Sequence, residues 1–222
     1  MLKGLFLMVS LVCAFSAQAE VKAEVVLPGD EAESVEVPVQ IGDVLCADGS
    51  IEPAKQWAKS KKEPKGVVFY VDETGQHGWA LALRDKGNLT WGDEVDIEAI
   101  PNTNENDALA DFNGKGNTEA ILAMGGSYPA VQAIETAEGW YLPSAGQLCI
   151  LTQHMKKVQQ TLKRLIGKKV PAMLYAKGAY WSSSETLDGR AWYVVDTGSL
   201  SNFFRTGYEK GQLYYVRAVT DF

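Results

Sequence analysis

The sequence holds one run of side chains that could do nucleophilic chemistry, Ser182–Ser184, followed by Glu185. A serine hydroxyl becomes a nucleophile only when a neighbouring base accepts its proton. The two histidines, His77 and His154, lie in a turn sequence and beside an apolar helix stripe, which favours turn and packing roles over general-base work. No nucleophile elbow, phosphate loop or paired-histidine zinc motif occurs. The alternative for the serines is a strand end whose hydroxyls bond backbone groups.

A second candidate is a calcium loop at Asp111–Gly116, which has oxygen ligands at Asp111 and Asn113 and a glycine for a sharp turn. Lys115 occupies a ligand position, and Leu122 stands where such a loop needs a bidentate glutamate. We therefore expect an Asn/Gly turn that leads into the next helix, with no metal and no cofactor.

Two cysteines, Cys46 and Cys149, lie beyond the first 19 residues. In an exported chain they could form a disulfide that ties the first strand to the long helix described below. The alternative, which we favour, is that both are small buried apolar residues.

The loops of the predicted C-terminal sheet, 182–190, 197–202 and 206–211, mix small polar residues with charged and aromatic ones. Binding residues usually gather on such loops over a rigid sheet. The predicted ligand-binding residues are Glu185, Asp188, Asn202, Arg205 and Tyr208.

Aromatic side chains are frequent in the same region and could stack on a sugar ring or anchor a protein partner, although most large aromatic residues belong to the core. We expect Trp181 to be buried and to anchor the sheet to the long helix. The aromatic set is Trp181, Trp192, Tyr193, Phe203, Phe204, Tyr208, Tyr214 and Tyr215.

The element that must position these groups is a helix that follows Ser144 and ends at Gly167. Ser144 and Gln147 have the spacing of a capping box, and Gly167 suits a left-handed helix stop. One face is apolar because hydrophobic residues recur every three or four positions. These residues are Leu148, Leu151, Met155, Val158, Leu162 and Leu165.

The rest of the chain alternates short strands and turns. Residues 67–71 and 79–83 predict a hairpin, and 101–116 a long loop or series of turns. Two short helices are expected: one is capped by Asn117 or Thr118 and ends near Met124, and the other starts at Ser127 and Pro129 and ends near Ala137. The architecture is therefore α+β, with helices between an early hairpin and a late antiparallel sheet. The late candidate strands are 180–184, 191–196, 202–206 and 213–220.

The N-terminal region predicts export. Residues 1–19 have the charge, apolar run and small-residue cleavage site of a signal peptide, and 20–40 form an acidic leader or tether that could instead add an edge strand. The domain is expected over 41–222, without a transmembrane segment. A net charge of −7 argues against nucleic acid as a partner.

Six motifs follow one another along the chain: Gly42-Asp43, Asp48-Gly49, Gly139–Pro143, Tyr180–Ser184, Ala191–Tyr193 and Val216–Val219. This ordered set resembles bacterial exported domains related to the C-terminal domain of a collagen-like adhesin, a family of mostly unknown function. That resemblance spans roughly 41–222 and implies a C-type-lectin-like fold, in a broad group shared with formylglycine-generating enzymes. The calcium-binding triplets of the lectins are missing here, which argues against a calcium-bridged sugar site. The formylglycine-generating enzymes carry active-site cysteines near their C-termini, and this chain has no cysteine after Cys149, which argues against that activity.

The hypothesis from these features is an exported, non-enzymatic binding or adhesion module for a glycan or a partner protein. It would act in the periplasm, at the outer cell surface or outside the cell. One alternative is a structural subunit of a bacterial surface assembly, in which 20–40 adds a strand to a neighbour. The other is an enzyme of unknown reaction.

Overall fold

The structure is a computed structural model that describes residues 38–166, 178–195 and 209–222. The helices are α1 (Trp57–Ser60), α2 (Glu105–Ala110), α3 (Gly114–Ala123), α4 (Pro129–Gln132) and α5 (Ala145–Ile166), with a 3₁₀ turn at Thr136–Glu138. The strands are β1 (Val44–Cys46), β2 (Ile51–Glu52), β3 (Pro64–Val71), β4 (Gly78–Ala82), β5 (Gly87–Leu89), β6 (Asn102–Thr103), β7 (Trp140–Tyr141), β8 (Ala179–Thr186), β9 (Ala191–Val195), β10 (Tyr214–Val216) and β11 (Val219–Asp221).

The first sheet has the strand order β2-β1-β3-β4-β11-β7, and all its pairs are antiparallel. The predicted hairpin is confirmed as β3 and β4. Its turn is held by Asp72, whose carboxylate accepts hydrogen bonds from the Thr74 hydroxyl at 2.7 Å and from the Gly75 N–H at 3.0 Å. Gly75 has φ +75°, a conformation that glycine adopts without strain.

The long helix α5 packs on this sheet and begins with the predicted capping box. The Ser144 N–H donates to Gln147 Oε1 at 3.0 Å, and the Gln147 N–H donates to Ser144 Oγ at 3.4 Å. The apolar stripe of α5 is buried against Val67, Phe69 and Leu81 of the hairpin. Gly167, the predicted stop, lies outside the described residues.

The second sheet has the order β5-β10-β8-β6, and β9 pairs with β8. The β8–β9 pair is antiparallel as expected, but β10 and β6 both pair with β8 in parallel. The prediction of a late antiparallel sheet is therefore confirmed for β8 with β9, and the parallel pairs β10–β8 and β6–β8 correct it. Turn signals show where a strand ends, whereas they do not show which strand it joins.

The candidate strand 213–220 is in fact two strands that belong to different sheets. The chain leaves the second sheet at Val216 and enters the first at Val219. Between them the buried Arg217 donates from Nε to Asp85 Oδ1 at 2.6 Å and from Nη1 to the Ala82 carbonyl at 3.3 Å. This ion pair fixes the crossing between sheets.

Alternation along β8 and β9 divides their side chains between two cores. Tyr180 and its partner Val194 pack with the stripe of α5, whereas Trp181 and its partner Tyr193 pack on the opposite face. Trp181 is fully buried, as predicted, and its indole N–H donates to the Leu89 carbonyl at 2.9 Å. It does not anchor the sheet to α5, since that contact is made by Tyr180.

Three helical segments differ from the prediction. The segment 101–116 contains β6 and α2, and α3 begins at Gly114, earlier than expected. The predicted helix from Pro129 to about Ala137 is a single turn, α4, followed by the 3₁₀ turn. The candidate strand 202–206, the signal peptide and most of the acidic leader lie outside the described residues, so they stay predictions.

Candidate functional site

The serine run of β8 lies at a bulge where the strand leaves its ladder with β9. All three serines are fully buried. Ser182 Oγ donates to the Trp192 carbonyl at 2.8 Å, and the Ser183 N–H donates to the Pro143 carbonyl at 2.8 Å. The Ser182 hydroxyl thus supplies a hydrogen bond to a β9 carbonyl where the ladder is interrupted, as in the strand-end interpretation.

Asp111 is the acceptor that joins the serine run to the start of α5. Its Oδ2 accepts from the Ser184 hydroxyl at 2.5 Å and from the Asn117 amide at 2.9 Å. The Ala145 N–H donates to Ser184 Oγ at 3.0 Å, so that hydroxyl both donates and accepts. Ser184 therefore donates to a carboxylate and accepts from the first N–H of α5, and no histidine is among its described hydrogen-bond partners.

The segment that begins at Asp111 is a turn that leads into α3, as expected. Asp111 Oδ1 accepts the Asn113 N–H at 2.8 Å, and α3 starts directly afterwards. Among the described residues, no group of three or more histidine, cysteine, aspartate or glutamate side chains is arranged to hold a metal ion.

Cys46 is buried and Cys149 is half-buried, and both are free thiols in this structure. Burial raises the pKa of each thiol.

Glu185, a predicted ligand-binding residue, is fully buried. Its Oε1 forms an ion pair with Lys210 Nζ, and its Oε2 accepts the Ile97 N–H at 3.1 Å. Lys210 is itself buried, donates to the Val95 carbonyl and lies 4.4 Å from the centre of a Trp91 ring. Burial raises the pKa of Glu185, and Lys210 opposes that shift through its hydrogen bond and charge. The expected exposed loop position of Glu185 was wrong, because β8 extends to Thr186.

Asp188 does lie on an exposed turn, between β8 and β9. It accepts a hydrogen bond from the Thr186 hydroxyl and lies 3.4 Å from Arg190 in a solvent-exposed ion pair. The Thr186 hydrogen bond, followed by the charge of Arg190, lowers the pKa of Asp188. Leu187, beside it, is 68% exposed. This turn thus offers one carboxylate, one guanidinium and one apolar side chain to a ligand. The other predicted ligand residues, Asn202, Arg205 and Tyr208, lie outside the described residues.

Most of the predicted binding-surface aromatic residues that the structure describes are internal. Trp181, Trp192 and Tyr193 are buried. Tyr215 is 40% exposed and stacks on Tyr180 at 5.4 Å. A more exposed ring is Phe112, which the prediction did not include and which stacks on Trp79 at 5.8 Å. Phe203, Phe204 and Tyr208 are not among the described residues.

The structure also contains a cleft of about 360 Å³ that the sequence did not reveal. Its walls are the segment 40–43, the loop 53–56 and the C-terminal half of α5. The two short segments are close to each other in the chain, but α5 follows them about a hundred residues later. From sequence alone, the charged residues of α5 indicate only a solvated helix face. The amphipathic pattern of α5 could have indicated its polar side, but that pattern does not indicate that the loop 53–56 faces it across a cleft.

Comparisons with known proteins give a fold relative. The structure is similar to that of a fimbrial protein from Bacteroides ovatus ATCC 8483, with a TM-score of 0.66 and 19% sequence identity. The match covers 83% of this chain and 49% of the fimbrial protein's chain, so this chain spans about half of that protein. No protein-family profile and no curated protein sequence matches the chain. At this identity the likeness shows a shared α+β fold.

None of the helices in the described ranges has the length and apolar character needed to span a bilayer.

Proposed function

We propose that this chain is an exported, non-enzymatic binding or adhesion module at the bacterial surface, and that it recognises a glycan or a partner protein. The observation that carries the proposal is the fold shared with a fimbrial protein over 83% of the chain. A fimbrial relative favours a role in surface attachment or assembly, although fold alone does not determine function.

The lectin-like part of the proposal has support of its own. The structure is α+β, and its early strands β1, β3 and β4 share one sheet with the last strand, β11. This agrees with a C-type-lectin-like fold, in which the end strands of the domain come together. The binding would be independent of the usual lectin calcium site, whose sequence triplets this chain lacks.

The described polar groups of β8 also favour binding over catalysis. Ser182, Ser184 and Glu185 are buried, and each is engaged by groups that hold neighbouring segments in place. Groups held in this way can position the surface loops that follow them. We therefore assign ligand contact to Asp188, Asn202, Arg205 and Tyr208, and a positioning role to Glu185.

The assignment is tested by substitution. Asp188→Ala removes an exposed carboxylate and should weaken binding to a glycan found by array screening, while the melting temperature stays nearly unchanged. Asn202→Ala, Arg205→Ala and Tyr208→Ala should behave alike. A matched control is Asp48→Ala, another exposed turn aspartate, which lies in the β1–β2 turn. Unchanged affinity in all four variants would overturn the assignment.

A structural subunit of a surface assembly is the second candidate, favoured by the fimbrial relative. In that role the acidic leader 20–40 would add a strand to a neighbouring subunit. Deletion of the leader separates the two candidates. If the chain is a subunit, assembly on the producing cell fails; if it is a binding module, ligand affinity survives the deletion.

A further inference from the structure

The cleft beside α5 has a fixed shape. Thr161, which is buried on α5, donates its hydroxyl to the Gly42 carbonyl at 2.7 Å, and the Gly42 N–H donates to the Val68 carbonyl at 2.7 Å. The facing loop is held as well, since the Ala54 N–H donates to Asp43 Oδ1 at 3.2 Å. Helix, N-terminal segment and loop are thus joined to the first sheet, and a ligand would meet preformed walls.

The charged side chains of the cleft are mainly cationic. Lys157 and Arg164 lie two turns apart on α5, and Lys55 lies on the facing loop. All three are exposed, and none has an ion-pair partner within the described ranges. The lining carboxylate, Asp43, already accepts the backbone N–H groups of Gln40 and Ala54. The cleft is therefore positive on a chain whose net charge is −7, which favours an anionic ligand.

The uncharged lining is rich in primary amides. Gln40, Gln56 and Gln160 line the cleft and are exposed, and none of their side chains bonds to another group in the described part of the chain. An amide donates through its NH₂ and accepts through its carbonyl oxygen, which matches hydroxyl groups that do both. A volume of about 360 Å³ suits a compact ligand of one or two rings better than a long extended segment.

We propose that this cleft binds a saccharide that carries a carboxylate. The carboxylate would lie between Lys157, Arg164 and Lys55, and the ring hydroxyls would face the three glutamines. The inference rests on the proposed glycan-binding function and names both a ligand class and a site for it. That site is separate from the β8–β9 turn and its neighbouring loops.

The test compares two probes that differ in one group, methyl β-D-glucuronide and methyl β-D-glucoside. Titration of the isotope-labelled chain, followed by NMR, gives an affinity and the location of the shifted signals. The glucuronide should bind at least tenfold more tightly, because a charge-assisted hydrogen bond to one cation is worth about that factor. Its shifts should fall at 40–43, 53–56 and the second half of α5.

The variant Lys157→Gln/Arg164→Gln should reduce glucuronide affinity at least tenfold and leave the melting temperature unchanged, because both side chains are exposed. Lys156→Gln is the matched control: it removes a neighbouring exposed charge of the same helix that does not line the cleft, and it should reduce affinity less than twofold. Equal binding of the two probes, or unchanged affinity in the double variant, would overturn the inference.

Two further arms separate the remaining outcomes. A tetraglutamate peptide that binds more tightly than the glucuronide at the same signals would overturn the saccharide assignment in favour of an acidic peptide. A glycan array on which the chain binds only neutral sugars would overturn the cleft inference and keep the proposed function. An array and a partner screen without any binding would overturn both.

Discussion

The buried ion pair between Glu185 and Lys210 should be one of the most sensitive points of the fold. Neither side chain is exposed by more than 1%, and their charges are enclosed by the Val95 carbonyl, the Ile97 N–H and the Trp91 ring. Removal of one partner from such a pair leaves an uncompensated buried charge, which costs about 3 to 5 kcal/mol. For a domain of this size that corresponds to a fall in melting temperature of roughly 6 to 20 °C.

The cost should depend on pH in one variant. In Lys210→Met, burial acts on the Glu185 carboxyl without an opposing cation, so its folded-state pKa rises further above the unfolded value. For a carboxyl whose folded-state pKa is raised, the free energy of unfolding is highest below the unfolded-state pKa and falls as pH rises through the folded-state pKa. The variant should thus regain up to about 1.4 kcal/mol for each pH unit of acidification within that window.

Urea denaturation at pH 5 and pH 7.5 measures both effects. The set comprises Lys210→Met, Glu185→Gln, the double variant, and Arg190→Met as a control in an exposed pair, where a loss of less than about 1 kcal/mol is expected. The double variant should be less destabilised than the sum of the single variants, since it leaves no unpaired charge. Additive losses, or single losses as small as that of Arg190→Met, would refute the reasoning.

Three other predictions concern stability. Ser144→Ala removes a helix cap and the hydrogen bond to the Asp111 carbonyl, so it should lower the free energy of unfolding by about 1 to 2 kcal/mol in chemical denaturation. The mid-helix control Thr152→Ala should lower it by less than about 0.5 kcal/mol. Equal losses in the two variants would count against the capping box. Arg217→Lys keeps the positive charge but removes the planar guanidinium group that bonds both Asp85 and the Ala82 carbonyl, so it should lower the free energy of unfolding by about 1 to 3 kcal/mol. An unchanged free energy of unfolding would contradict the role of Arg217 where the chain crosses between the sheets. Hydrogen bonds from Thr74 and then from backbone N–H groups lower the pKa of Asp72, so its contribution is present above the unfolded pKa and is lost as pH falls through the folded one. Asp72→Asn should therefore flatten the acid limb of a pH–stability curve, and an unchanged curve would contradict this assignment.

The sequence predicted those parts of the fold that local signals determine. The stripe of α5 and the Ser144–Gln147 box are encoded within a few residues, and so is the β3–β4 hairpin, which has two apolar runs around a turn. The partner of a strand depends on segments distant in the chain, so the parallel contacts of β8 with β6 and β10 were missed. The break at Arg217 was missed for the same reason, because its partner Asp85 lies 132 residues earlier.

The candidate site was less predictable than the fold. Glu185 follows a serine run that looks like a strand end, and nothing near it in sequence indicates that Lys210 will be buried beside it. The Asp188 turn was found because Asp-Gly is a local turn signal. The basic cleft was not predicted, since Lys55 and Arg164 line it together only because segments distant in the chain meet in the fold.

The proposal that this chain is a surface binding module can be tested by ligand binding of the purified chain. The measurement is the affinity of the purified chain on a glycan array and against surface proteins of the producing cell, together with Asp188→Ala and its Asp48→Ala control. A surface binding module should show saturable binding to at least one glycan or protein, weakened by Asp188→Ala and unchanged by Asp48→Ala. Absence of saturable binding to both classes, or catalytic turnover of a bound compound, would contradict the proposal.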